Sequence, residues 1–147
     1  MENFKYLGVV LNEDNNDQIY LRERINNANK TYLMLQKFFK NKNLSKKLKL
    51  RLKNTVIDKT LTYASETWTL TKIDRKQLNI FERKVCRRIL GPVYDNEKEN
   101  WRILTNKEIY ARVKKPTIKE TVRLNRLRWF GHVQRMEENG IPKEYYI

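Results

Sequence analysis

Residues 74–92, "DRKQLNIFERKVCRRILGP", contain the clearest helix signal in the chain. Apolar residues recur there at intervals of three or four, which is the spacing of one face of an α-helix. Asp74 is a suitable N-cap. Gly91 and Pro92 predict the end of the helix, because glycine accepts a positive φ and proline cannot continue a helix. A helix with one apolar face has to bury it, so this stretch predicts a helical bundle. The residues of that face are Leu78, Phe81, Val85 and Ile89.

Two further helices are predicted before this one. Over residues 17–39 the apolar side chains follow a helical spacing and form one stripe on a long helix. Ser45 is the predicted N-cap of the second helix, because its hydroxyl can accept a hydrogen bond from the free backbone amides of the first turn. The predicted apolar face of the second helix includes Leu48, Leu52 and Val56. The predicted core of this three-helix bundle, residues 17–91, is Leu21, Ile25, Leu35, Leu52, Val56, Phe81, Val85 and Ile89.

Shorter elements flank the bundle. The aromatic and β-branched stretch "FKYLGVVL" predicts a short β-strand or hairpin within residues 1–16. Residues 92–104 read as a linker around Trp101. Thr105 with Glu108, and then Thr117, mark the starts of two C-terminal helices. The predicted fold is therefore mainly α, with an N-terminal β element, a three-helix bundle, and a region 92–147 that holds a linker and a helical pair.

The composition predicts a polyanionic partner or an acidic membrane surface. The chain has 147 residues, a net charge of +15 and a pI near 10.0. Residues 44–90 carry 13 basic and 4 acidic side chains, so the excess is largest in the middle of the chain. Neither an apolar run of membrane length nor a signal peptide is recognisable, so we expect no membrane partner and a location in the cytosol or nucleus.

No pattern typical of catalysis is present in the sequence. Paired carboxylates, a glycine-rich phosphate loop and a nucleophile motif are all missing, so we expect no enzyme activity, no cofactor and no small-molecule substrate. One cysteine, Cys86, and one histidine, His132, make a metal site improbable. Cys86 lies among basic residues that could activate it, but its place beside the apolar face favours a buried structural thiol. For His132, a structural or binding role is favoured over general-base catalysis.

The basic residues are the remaining candidates for function. A charge run is usually only a solvated helix face, but here three helices share a basic excess with interleaved aromatic residues. That combination favours binding of nucleic acid. The residues predicted to contact it are Lys46, Lys49, Arg51, Lys53, Arg83, Arg87, Arg88, Arg128, His132 and Arg135.

The stretch "RLRWFGHVQRM", residues 126–136, combines both kinds of residue. If it is helical, Trp129, Val133 and Met136 share an inward stripe with Val122. Arg128, His132 and Arg135 project from another side. Gly131 is a poor helix former, so it is expected to permit close approach of another helix or of a phosphate backbone.

Four segments in order resemble one family. They are "FKYLGVVL" (4–11), "TLTYASETWTL" (60–70), "LNIFERKVCRRILG" (78–91) and "RLRWFGHVQRM" (126–136). Together they resemble the C-terminal part of the reverse transcriptase of non-LTR, LINE-like retrotransposons. The resemblance implies that the bundle is a thumb that closes over template–primer nucleic acid, and that the last segment contacts template RNA or target DNA. It also implies a primer-grip-like element at Phe4, Tyr6, Leu7 and Gly8.

The resemblance also implies what this sequence lacks. The fingers, the palm with its metal-binding aspartates, the endonuclease and the Cys/His knuckle of the family have no counterpart in it. The expected function is therefore non-catalytic binding of an RNA–DNA hybrid or duplex. The alternative is an inherited helical remnant that serves as a protein-interaction or structural module, with its positive charge unused.

Overall fold

The computed structural model describes residues 3–6, 9–12 and 17–136, and it is mainly helical. Besides its α-helices it has a π-helical turn at Lys53–Ile57 and a short 3-10 turn at Ser65–Thr67. The elements are β1 (Asn3–Tyr6), β2 (Val9–Asn12), α1 (Asp17–Met34), α2 (Gln36–Lys40), α3 (Lys46–Leu52), α4 (Asp58–Thr62), α5 (Lys72–Leu90), β3 (Val93–Asp95), β4 (Asn100–Arg102), α6 (Asn106–Val113) and α7 (Ile118–Gln134).

The predicted linker at 92–104 is wrong, because β3 and β4 form an antiparallel hairpin there. Tyr94 lies opposite Trp101, and their rings meet edge to face with centroids 5.5 Å apart. Arg102 donates to Asp95 at 3.1 Å and holds both carboxylate oxygens of Glu108, at 2.9 and 2.7 Å. These cross-strand and ionic contacts stabilise the hairpin, which the turn-rich sequence did not reveal. At the N-terminus, β1 and β2 also pair antiparallel, with Phe4 opposite Leu11.

The helix predicted over 17–39 is divided in two. Helix α1 ends at Met34, and Leu35 adopts φ −85° and ψ 0° before α2 begins. The apolar stripe nevertheless continues across the break. Tyr32 and Phe39 are both buried, and their rings stack with centroids 5.9 Å apart.

The second predicted helix corresponds to α3, the π-helical turn and α4, and it buries a different face from the predicted one. Ser45 caps it as expected, since its hydroxyl accepts from the Leu48 amide at 3.2 Å. Leu48, however, is 50% exposed. The wide π-helical turn, with its i→i+5 hydrogen bonds, keeps positions four residues apart on one side of the chain. The buried face consists of Lys49, Lys53, Ile57 and Leu61.

Helix α5 has the predicted apolar face but an earlier start. Its N-cap is Thr71, whose hydroxyl accepts from the Asp74 amide at 3.2 Å, while Asp74 accepts from the Thr71 amide at 2.8 Å. Asp74 is therefore the third helical residue, and not the cap. Gly91 follows the helix with φ +74°, so the predicted C-terminal signal is confirmed. The four residues predicted for the apolar face are buried: Leu78, Phe81, Val85 and Ile89.

One core joins the bundle to the last helix. Ile118 and Val122 of α7 are buried in the same cluster as residues of α1, α4 and α5, so α7 packs directly on the bundle. Val56 is only half-buried and lies outside this cluster, contrary to prediction. The other predicted core residues belong to the cluster or pack against it as partly buried neighbours: Leu21, Ile25, Leu35, Leu52, Phe81, Val85 and Ile89.

The caps of the two C-terminal helices are confirmed. Thr105 and Glu108 exchange hydrogen bonds of 2.8 and 3.4 Å at the start of α6. The Thr117 hydroxyl accepts from the Glu120 amide at 3.2 Å at the start of α7. A smaller core cluster between α5 and α6 contains Cys86, Leu90, Leu104 and Ile109.

Candidate nucleic-acid interface

The structure divides the ten predicted binding residues into three groups. Arg83 and Arg87 are half-buried, whereas Lys49 and Lys53 are buried. Among the primer-grip-like residues, Phe4 and Tyr6 are exposed, and positions 7 and 8 lie outside the described residues. The predicted binding residues with exposed side chains are Lys46, Arg51, Arg88, Arg128, His132 and Arg135.

Lys53 points into the protein, so its predicted place on the polar face of the second helix is wrong. Only 1% of the residue is exposed, and its Nζ donates to Asp58 Oδ2 at 2.8 Å. Burial lowers the pKa of Lys53, but Asp58, Cys86 and Glu82 together raise that pKa above its ordinary value. The ammonium is therefore charged and engaged inside the core, where it cannot serve as a phosphate contact.

Glu82 and Cys86 lie on the α5 side of the same buried region. Glu82 Oε1 accepts from the Ile118 amide at 3.2 Å, so this carboxyl caps α7 from a neighbouring helix. Burial raises the pKa of Glu82, although Lys53 opposes the effect. Burial also raises the pKa of the Cys86 thiol to about 11, which suppresses the reactive thiolate. The prediction of a buried structural thiol is thus confirmed.

The half-buried arginines connect α5 to α6. Arg87 donates from Nε to the Leu104 carbonyl at 3.3 Å and from Nη2 to Asn106 Oδ1 at 2.6 Å. Arg83 lies beside Tyr110 of α6. Because these guanidinium groups already have protein partners, Arg88 is the predicted α5 residue that is best placed to contact phosphate.

A groove that the sequence did not suggest runs between residues 66–75 and α7, and we call it the α7 groove. Its volume is about 450 Å³. Arg75, Lys119, Arg123 and Arg126 line it, and Glu66 is the acidic residue among the lining side chains. The apolar lining consists of Leu70, Val122, Leu127, Trp129 and Phe130.

The "SETW" segment holds one wall of this groove in place. Ser65 is fully buried, and its hydroxyl accepts from the Asn125 amide group of α7 at 3.1 Å. Trp68 is also buried and meets Tyr20 edge to face, with ring centroids 5.7 Å apart. Packing and a hydrogen bond therefore join this segment to both α1 and α7, so the groove is formed by two anchored walls.

The four basic side chains of the α7 groove are exposed, and none was among the predicted binding residues. Arg123 donates to Glu120 at 2.9 Å, but both side chains are solvent-accessible, and such surface pairs contribute little. Lys119, Arg123 and Arg126 are spaced by four and three residues. In a helix, residues with this spacing lie on one face, and Phe130 continues the same face.

The inward stripe of "RLRWFGHVQRM" agrees with the predicted orientation. Val122 and Val133 are buried, Trp129 is half-buried, and the Trp129 and His132 ring centroids are 5.4 Å apart. The expected approach of another helix to Gly131 is wrong. A Cβ built there would meet, within 4 Å, only the Arg135 guanidinium of its own helix, at 3.6 Å, among the described residues.

The described part of the chain contains neither a membrane-spanning helix nor a cluster of metal ligands. No helix within residues 17–136 is both long enough and apolar enough to cross a membrane. The described ranges also contain no group of three or more His, Cys, Asp or Glu side chains arranged to hold a metal ion.

Comparison with known proteins gives one distant relationship. No protein-family profile and no solved structure matches the chain. Over 93 residues the chain is 27% identical to a Caenorhabditis elegans protein that is described as transposon-derived and uncharacterised. The aligned part covers 63% of this chain and 33% of that protein, so the chain spans about a third of the length of its curated relative. The sequence is therefore related to a transposon-derived protein.

Proposed function

We propose that the chain is a non-catalytic, nucleic-acid-binding module that derives from the C-terminal part of a non-LTR retrotransposon reverse transcriptase. The relationship to a transposon-derived protein supports the origin, and so do the four segments that resemble this family in order. The observation that carries the proposed function is the distribution of exposed cations over α3, α5 and α7. Lys46, Arg51, Arg88, Arg128 and Arg135 are exposed, and none forms an ion pair with an acid among the described residues.

Such cations bind phosphate mainly by releasing condensed counterions. The binding is therefore tolerant of sequence and steeply dependent on salt. Within the family the thumb contacts template–primer duplex, so an RNA–DNA hybrid is the expected ligand. The palm aspartates of the family have no counterpart in this sequence, and we propose binding without nucleotide incorporation.

The test is fluorescence anisotropy with a labelled RNA–DNA hybrid over a series of salt concentrations. The triple variant Lys46→Gln, Arg51→Gln and Arg88→Gln removes three exposed cations from α3 and α5. Each lost phosphate contact reduces the slope of log Kobs against log salt by about 1. The matched control removes three exposed cations elsewhere, at Lys98, Lys107 and Arg112.

A smaller slope in the first variant but not in the control supports this proposal. An affinity that does not depend on salt concentration, or equal effects of the two triple variants, would show that no specific basic surface is used. Absence of binding to any nucleic acid would favour the alternative of an inherited helical remnant that interacts with protein. Incorporation of nucleotides by the purified chain on a primed template would contradict the non-catalytic assignment.

A further inference from the structure

We infer that the α7 groove binds one unpaired nucleotide of a single-stranded segment, with the base on its apolar lining and the flanking phosphates on its arginine and lysine rim. This inference rests on the proposed function, since it assigns a particular ligand to a particular place on a nucleic-acid-binding surface. None of the exposed cations invoked above for duplex binding lines this groove.

The apolar lining is suited to a flat, aromatic ligand. Phe130 is 49% exposed and Leu127 is 53% exposed, and both belong to α7. Trp129 and Val122 continue the same lining toward the core. Aromatic side chains beside a basic rim are the arrangement by which proteins hold single strands, because every base has a face that can stack.

The basic rim of the groove favours an anionic ligand. Arg75, Lys119, Arg123 and Arg126 surround the groove, and Glu66 is the acid among its lining residues. A neutral peptide helix brings no anion to these cations, whereas a nucleotide brings a phosphate on each side of its base. Charge complementarity therefore selects nucleic acid over an uncharged protein partner.

The size and shape of the groove select an unpaired nucleotide. A volume of about 450 Å³ lies within the range of roughly 300–1,000 Å³ that is typical of small-molecule sites. In a duplex the faces of the bases are covered by their neighbours, so only an unstacked base can reach Phe130. The same chemistry is offered by RNA and by DNA, and the experiment has to distinguish them.

The test measures the affinity of labelled oligouridylate, labelled oligothymidylate and a blunt duplex of the same length. Phe130→Ala is expected to weaken binding of single strands roughly tenfold, within the range for loss of one stacked base, while duplex binding is nearly unchanged. Phe38→Ala is the matched control, because Phe38 is 53% exposed on α2 and does not line the groove. Melting curves of both variants check that each remains folded.

A second pair of variants tests the rim independently. Arg126→Gln should weaken single-strand binding and reduce its salt slope by about 1, whereas Arg112→Gln on α6 should leave both unchanged. A loss with oligouridylate alone identifies the ligand as RNA, a loss with oligothymidylate alone identifies it as DNA, and either result supports the inference. If Phe130→Ala and Arg126→Gln are both neutral while duplex still binds, the groove assignment is wrong and the proposed function stands. If no nucleic acid binds, both are wrong.

Discussion

The Nζ atom of Lys53 lies 2.8 Å from Oδ2 of Asp58, and almost none of the Lys53 side chain is exposed. The two residues belong to adjoining turns of one helical segment, Lys53 in the π-helical turn and Asp58 at the start of α4. Because the ion pair is shielded from water, its two halves depend on each other much more than in a surface pair.

Loss of one half of this pair should be costly. Lys53→Ala leaves the Asp58 carboxylate without its cation and creates a cavity, so we expect the free energy of unfolding to fall by about 3–5 kcal/mol. Lys53→Met fills the same space without a charge. The double variant Lys53→Met with Asp58→Leu should be far closer to the parent than Lys53→Ala, which urea denaturation would measure. Equal losses in the two variants would mean that the ion pair itself, and not the filling of space, stabilises the protein at this site.

The carboxyl of Glu82 should make stability depend on pH. Burial raises the pKa of Glu82 in the folded protein above its ordinary value of 4.5, so the folded state holds this proton more tightly than the unfolded state. The stabilisation from that proton is complete below the ordinary pKa and is lost as the pH rises through the folded pKa. Glu82→Gln keeps an oxygen that can accept from the Ile118 amide but cannot ionise.

We therefore expect Glu82→Gln to gain stability relative to the parent as the pH rises above 4.5. Thermal melts of both proteins from acidic to neutral pH would show it. Glu120→Gln is a suitable control, because Glu120 lies partly exposed at the start of α7, the helix that Glu82 caps. A constant difference between Glu82→Gln and the parent over the whole range would mean that the pKa of Glu82 is the same in the folded and unfolded states.

The two described glycines should respond in opposite directions to alanine. A Cβ at Gly131 meets only a flexible arginine side chain at 3.6 Å, so Gly131→Ala should stabilise the protein by roughly 1 kcal/mol through helix propensity. Gly91 has φ +74°, a conformation that L-residues rarely adopt, and Gly91→Ala should destabilise it by about 1 kcal/mol or more. Chemical denaturation gives both values. A destabilised Gly131→Ala variant would point to a neighbour that the described residues do not include.

The exposed arginines of α7 should affect binding without affecting folding. Arg128 and Arg135 are exposed, so replacing both by Gln should weaken nucleic-acid binding while the melting temperature stays nearly unchanged. Trp129→Ala removes a half-buried ring from the same helix and should lower the melting temperature. Anisotropy and thermal melting applied to both variants separate the two effects. If the arginine pair is neutral for binding, this face of α7 is only solvated.

The local signals in the sequence were sufficient for helix starts, helix ends and one helix face. Ser45, Thr105 and Thr117 cap helices as predicted, and Gly91 follows α5 with a positive φ. These features depend on hydrogen bonds and φ/ψ preferences among residues a few positions apart, which the sequence displays directly. The apolar face of α5 could be predicted for a related reason. Its apolar residues recur with the period of an α-helix, and this spacing has few interruptions.

Long-range packing decided the rest. The sequence of α3 and α4 offers several amphipathic faces, and contact with α1 and α5 selected the one that buries Lys53. The β3–β4 hairpin depends on Arg102 reaching Glu108 in the next helix, and the α7 groove brings Arg75 beside residues 119–126. Helical periodicity relates neighbours along one element and carries no information about which distant element will pack against it. For that reason the sequence alone was enough to predict a basic, helical protein. The tertiary structure determined which of its cations are exposed and which of them share a groove.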